Sequence, residues 1–148
     1  MTVYQRESVE SVMDEIRPLL EMHWREIAHY QDIELNPDWE FYLSHPAVRV
    51  YTARKDGVMV GYGVFFISPN RHYKQSIQAV QDILFVHPTY RGTLVGPKLI
   101  KFCDEQAKAE GAQAIYHHVK GAHDFSPLLM RMGYELVDLI FAKRLDKE

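Results

Sequence analysis

The most constraining stretch of this 148-residue chain is Phe85-Val86-His87-Pro88-Thr89-Tyr90-Arg91-Gly92-Thr93-Leu94-Val95-Gly96-Pro97-Lys98-Leu99. A β-rich run ending at Val86 passes through a tight turn and opens at once onto a helix. Val95, Leu99, Phe102, Cys103 and Ala107 keep helical spacing to about Glu110, where Gly111 stops the helix. The N–H groups of a helix's first turn have no intrahelical partner and the dipole is positive there, so this turn is an anion site. Gly92 and Gly96 let the backbone approach a ligand, and Pro97 removes an N–H that would be orphaned and fixes φ for helix entry. Arg91 and Lys98 add positive charge, so the expected ligand carries phosphate. The spacing is neither Gly-x4-Gly-Lys-Ser/Thr nor Gly-x-Gly-x-x-Gly, which sets aside the P-loop and the dinucleotide fingerprint.

Upstream, residues 2–6 read as a short strand, and from Ser8 the positions Val9, Val12, Met13, Ile16, Leu19, Leu20, Trp24 and Ile27 keep helical spacing. Pro18 falls inside that pattern and predicts a kink or a break into two helices. Asn36-Pro37-Asp38 reads as a second helix start, with Trp39, Tyr42 and Leu43 on one face. Val48 to Arg54 and Val58 to Ile67 flank Asp56-Gly57, a hairpin signature. Ile77 to Val86 is a third long strand. Ala114 to Lys120 reads as a strand, Asp124 to Met132 as a short helix, and Tyr134 to Arg144 as a last strand. The order β-α-α-β-β-β-α-β-α-β implies an α/β (α+β) protein with a mixed sheet covered on both faces.

No repeat or linker marks a boundary, so residues 1–148 are expected to form a single domain. The single Cys103 excludes an intramolecular disulfide and a Cys-based zinc site, and its place on the apolar helix stripe makes it a core residue. Residues 1–70 carry 6 Lys/Arg against 11 Asp/Glu, and residues 71–148 carry 11 against 9. That balance argues against a nucleic-acid binder, which shows a basic stripe. No apolar run approaches the roughly 18–20 residues of a membrane span, and the N-terminal residues lack a signal peptide's pattern, so a cytoplasmic protein is expected.

The run Val86-His87-Pro88-Thr89-Tyr90-Arg91-Gly92, followed by Thr93-Leu94-Val95-Gly96, resembles the acetyl-CoA loop of the GNAT superfamily of N-acetyltransferases. That loop reads Arg/Gln-x-x-Gly-x-Gly/Ala. The element order matches the family's fold over nearly the whole chain, and Arg131-Met132-Gly133-Tyr134-Glu135 looks like the family's Gly-Phe segment. The strand-to-loop wording also resembles acetyltransferases carried by tailed bacteriophages. The resemblance implies a GNAT-like acyltransferase fold in which the amides of Arg91, Gly92, Thr93, Leu94, Val95 and Gly96 bind the CoA pyrophosphate. Leu84, Phe85 and Val86 would pair their backbone with the pantetheine arm and hold the thioester carbonyl. That strand would splay from the one at Ala114 to Val119, leaving a cleft for the acceptor amine. The family's central loop glycine is Leu94 here, and its usual Tyr and Asn fall at Leu129 and Ala122.

Amine acetylation needs a base, because only the free amine attacks a thioester, and a donor for the oxyanion. Asp82 is the leading base: on a period-2 strand it shares a face with Leu84 and Val86, and GNAT enzymes often place a carboxylate in this region. His117 and His118 are strand neighbours on opposite faces, so at most one faces the cleft; His118 is the second catalytic candidate. Alternation also separates them as ligands, so with His123 and Asp124 they are not expected to hold a metal. Tyr90 and Tyr134 could each supply a phenol or simply pack. Trp24, Trp39, Phe41 and Tyr42 either line an acceptor pocket or belong to the core. The reading is therefore an acetyl-CoA-dependent N-acetyltransferase, acting on a small-molecule or protein amine by direct attack, with no membrane partner and a homodimer as one possible state. The rival reading is a non-catalytic acyl-CoA-binding module, or one that binds a host or virion protein, on the same fold.

Overall fold

The structure is a computed structural model and describes residues 1–147. Its elements are β1 (Thr2–Glu7), α1 (Val9–Ile27), α2 (Trp39–Ser44), β2 (Val48–Lys55), β3 (Val58–Pro69), β4 (Ile77–Val86), a 3₁₀ turn (Pro88–Tyr90), α3 (Val95–Ala109), β5 (Ala114–Tyr116) and α4 (Ser126–Arg131). The strands form one sheet in chain order, antiparallel from β1 to β4, with β5 parallel to β4.

Local chemistry accounts for most boundaries. The Ser8 side chain accepts from the Ser11 N–H at 3.2 Å and caps α1. Asp56 and Gly57 both take positive φ, 51° and 80°, as a two-residue hairpin turn requires, so β2 and β3 meet there. Gly111, at φ 89°, ends α3: its N–H donates to Lys108 O and the next N–H, from Ala112, to Ala107 O, both at 3.0 Å.

The sheet buries a different cluster on each face. On one, α3 lays Leu99 and Cys103 over Tyr51, Phe65 and Ala79. Gly63 admits that helix, since a Cβ there would sit 3.5 Å from the Cys103 sulfur and 3.0 Å from the Phe65 ring. On the other, α1 lays Val12 and Ile16 over Val50, Tyr62, Val64 and Phe85.

Four expectations are corrected. α1 runs unbroken through Pro18: Val12 and Ile16 before the proline and His23 after it are buried on the same helix, and that packing outweighs one lost hydrogen bond. The cap of α2 is Asp38, whose carboxylate accepts from Phe41 N at 3.0 Å, so Pro37 lies outside the helix. β5 ends at Tyr116 rather than Lys120, because Gln81 inserts beside it and accepts from His118 N at 3.2 Å. No strand forms over 134–144: the outer edge of β5 is only three residues long, and Leu136, Val137, Leu139 and Ile140 stay exposed.

Candidate active site

The site follows from what happens along β4. Its pairing with β3 runs the whole length, from Pro69↔Ile77 to Gly61↔Val86, but slips between Val64↔Ile83 and Phe65↔Gln81. Asp82 is the extra residue of that β-bulge. A bulge resets the alternation of side chains. Ile77 and Ala79 belong to the α3 cluster before the slip, and Leu84 and Val86 belong to it after, whereas Ile83 and Phe85 lie with α1. Asp82 points to the α1–α2 side with Ile83, and Tyr42 Oη donates to its Oδ2 at 2.6 Å. The expectation that Asp82 shares a face with Leu84 and Val86 is thus overturned by the bulge.

Toward the other edge, β4 pairs with β5 only over Gln78↔Ala114 to Val80↔Tyr116. Beyond this the strands part. Gln81 spans the start of the gap: its Oε1 also takes the His117 Nδ1 contact at 2.9 Å. From there to Val86 the β5-side edge of β4 has no strand beside it among the described residues, and the Arg91 Nε donates to Val86 O at 2.9 Å.

At the end of β4 the turn leads into α3. Gly92 takes φ 79°, a conformation that favours glycine. Alternate amides are used within the turn: Arg91 N donates to Pro88 O, Thr93 N to Tyr90 O, and Val95 N to the Thr93 hydroxyl. The N–H groups of Gly92, Leu94 and Gly96 have no acceptor among the described residues. Of the six amides expected at the anion site, these three are free. The Arg91 side chain is also committed elsewhere, in a two-pronged pair with Glu26 at 2.5 and 2.7 Å, and its guanidinium lies over the Phe85 ring. That pair holds the Glu26 carboxyl below its ordinary range. Lys98 and Lys55 instead border a hollow of about 480 Å³ beside Thr93 and Leu94. Leu94 is exposed and Val95 is buried under the sheet.

On the α1–α2 side a cavity of about 410 Å³ opens beside Asp82. Trp24, Trp39 and Tyr42 line it, Trp39 and Tyr42 also packing on the α1-side core, whereas Phe41 packs outside it against Phe66 and His45. Burial and the Asp82 carboxylate push the Tyr42 phenol well above its ordinary pKa, so it stays a donor. Tyr62, fully buried behind it, has a hydroxyl without a partner among the described residues.

The two histidines lie past the end of β5, in different surroundings. His117 is half-buried, its ring edge-on to Phe65 and Tyr134, and partial burial lowers its pKa to about 4, so it is neutral at ordinary pH. His118 is exposed, with its backbone N–H on Gln81 and no side-chain bond to Asp82. Tyr134 donates to Asp104, and Tyr90 sits under Lys55 at 5.5 Å. Among the described residues no group of three or more His, Cys, Asp or Glu could hold a metal ion. His23 was missed by sequence reasoning. It is buried, its ring is 5.2 Å from Phe85, and burial lowers its pKa to about 4. The signal was present: His23 lies seven residues after Ile16, on the buried stripe of α1.

Against known proteins, the model of the acetyltransferase (GNAT) family matches residues 10–134. An IAA acetyltransferase of Azospirillum brasilense is 32% identical over 73 residues, which is 49% of this chain and 44% of that protein. The chain thus matches less than half the length of that curated relative. An aminoglycoside acetyltransferase from an uncultured soil metagenomic sample superposes with a TM-score of 0.75 at 14% identity, covering 97% of this chain and 96% of that one. A ribosomal-protein-alanine N-acetyltransferase from Brucella melitensis gives 0.75 at 18% identity, over 98% and 99%. AAC(6')-Iy in complex with a CoA-containing bisubstrate analogue gives 0.73 at 19%, over 97% of each chain. At these identities the solved structures carry the fold.

Proposed function

The chain belongs to the GNAT family of acetyltransferases, and from that premise we propose that it moves an acetyl group from acetyl-CoA to a primary amine by direct attack. The observation that carries this reading is the geometry of β4. One bulge aims a carboxylate into a cavity on the α1–α2 side, while the same strand bares a backbone edge and runs into three free amides.

The residues present fit acetyl-CoA. Gly92, Leu94 and Gly96 N–H groups would hold its pyrophosphate at the N-terminus of α3, with Lys55 and Lys98 flanking. The open edge of Leu84, Phe85 and Val86 would take the amides of the pantetheine arm. When bound, acetyl-CoA supplies a thioester carbonyl that an amine lone pair can attack, with the thiolate as leaving group. Asp82 accepts the ammonium proton at Oδ1, directly or through water, because Oδ2 is already occupied by the Tyr42 hydroxyl. The buried Leu129 stands where the family's phenol would, so protonation of the thiolate falls to water. His118 remains a candidate proton relay on the neighbouring segment.

The rival reading, an acyl-CoA-binding module without turnover, is favoured by that same leucine at 129. Two measurements separate the readings. CoA and dephospho-CoA should raise the melting temperature where pantetheine, lacking pyrophosphate, does not. Release of CoA over an amine panel then shows turnover, and its absence in a chain that binds CoA would leave the module.

A further inference from the structure

We infer that the acceptor is an apolar primary amine, an aryl- or alkylamine carrying one cationic nitrogen, seated in the α1–α2 cavity with its ammonium on Asp82. The inference rests on the acetyl-transfer reading for the reaction, but the pocket argument stands on its own residues. The cavity's volume, about 410 Å³, suits a small organic molecule. Its floor is hydrocarbon, from Val12, Val64 and Ile83, and Trp24 and Trp39 stand in its wall. The formal charges in the lining are Asp82 and Glu34; neither lysine nor arginine lines it, so a cation is favoured over an anion.

Polar side chains enter the lining from two places: Asp82 and Tyr42 from β4 and α2, and His29, Tyr30, Glu34 and Asn36 from the loop before α2. Asp82 accepts from Tyr42 through Oδ2, which leaves Oδ1 for an ammonium. A ligand with one ammonium and an apolar body satisfies that arrangement. A polyhydroxylated amino sugar would instead set some of its hydroxyls against the valine, isoleucine and indole of the floor and wall, where they find no partner. This chain should therefore differ in acceptor from the aminoglycoside acetyltransferases whose fold it shares.

The test is calorimetry on the intact chain without CoA, using 2-phenylethylamine, 2-phenylethanol and sisomicin. At neutral pH the amine should bind at least ~tenfold tighter than the alcohol, and sisomicin more weakly than the amine. In Asp82→Asn the advantage of amine over alcohol should vanish. An alcohol that binds as well as the amine in the unaltered chain, or sisomicin binding best, overturns the inference whether or not the variant folds. CoA-induced melting shifts and CoA release separate this failure from that of the transfer reading. Turnover of sisomicin but not of phenylethylamine removes the acceptor class and keeps acetyl transfer. Asp82-dependent amine binding in a chain indifferent to CoA keeps the pocket and removes acetyl transfer.

Discussion

At the α3 entrance, what is left unpaired is backbone: the N–H groups of Gly92, Leu94 and Gly96, in a turn with one positive φ and an alternating set of hydrogen bonds. Under α1 and α2, what faces the cavity is side chain: Asp82, Tyr42 and the two indoles, contributed by three separate elements. Backbone groups tolerate a change of side chain, which is why Leu94 can stand where the family has glycine: it is exposed and its amide is still free. A pocket made of side chains is defined by their identities, so it can differ between chains that share a fold. On the proposed reading, the cofactor side is thus the family's and the acceptor side this chain's own.

The sharpest way to break that division is Asp82→Asn. Losing a general base should lower kcat/KM by roughly 10²–10⁴-fold, while CoA affinity barely moves. The deficit should shrink as pH rises toward the amine's own pKa, where free amine needs no generating. A parallel His118→Gln variant asks whether the neighbouring segment relays the proton. Full activity in both variants at neutral pH would remove the proton-transfer assignment.

That prediction depends on a feature the sequence did not show. The Asp56-Gly57 hairpin, the ends of β4 and the Gly111 stop of α3 were legible because each is settled by a few adjacent residues. The turn from β4 into α3 was legible for the same reason. The bulge was not: it is a slip in register between β3 and β4, and strict alternation put Asp82 on the wrong face. The Tyr42–Asp82 bond joins residues forty apart, and the Gln81 contacts that part β4 from the segment after β5 span 36 and 37. Such contacts leave no local pattern. The strand expected over 134–144 erred differently, since apolar residues alone do not supply a ladder partner.

Acid sharpens the comparison next, because the chain holds two imidazoles neutral, the buried His23 and the half-buried His117. His23 and His117 both fall from an ordinary 6.5 to about 4 in the folded chain, mainly through burial. The unfolded chain therefore binds more protons between those values, and stability present above pH 6.5 is lost as pH falls toward about 4. Around His23, Glu26 opposes the shift, while Arg91, His123 and Lys120 reinforce it; around His117 only His118 adds to burial. Melting temperature across this range should fall less steeply in His117→Phe than in the parent. An unchanged slope would mean that His117 is not held neutral in the folded chain.

On the cofactor side, Gly96→Asp places a negative charge beside the free amides. A Cβ there meets nothing closer than Val86 Cγ2 at 3.9 Å, so the chain should fold normally. CoA binding should weaken at least tenfold, ~1.4 kcal/mol, with amine binding unchanged. Leu94→Gly should leave CoA binding as it is or tighten it slightly, since the side chain is exposed. Unweakened CoA binding in Gly96→Asp would place the anion elsewhere.

The smallest effect comes from the cavity's outer wall. Residues 28–38 join α1 to α2, and Tyr30, Ile33 and Glu34 from this loop line the cavity. The loop is tied to the C-terminal segment: Arg144 pairs with Asp32 at 2.8 Å and with Asp146 at 2.6 Å, and lies 5.1 Å above the Tyr30 ring, while Lys147 also reaches Asp32. The cluster is solvent-facing, so salt screens it and it adds little to global stability. What it does is hold one wall of a side-chain-built pocket. Arg144→Ala should therefore raise KM for the amine a few-fold, leaving melting temperature and CoA affinity as in the parent. Added salt should bring the parent toward the variant, because both then lack the tie. A loss of CoA affinity instead, with KM for the amine unchanged, would show that the tail serves the backbone-built side, and the two regions would not be separable in the way their construction implies.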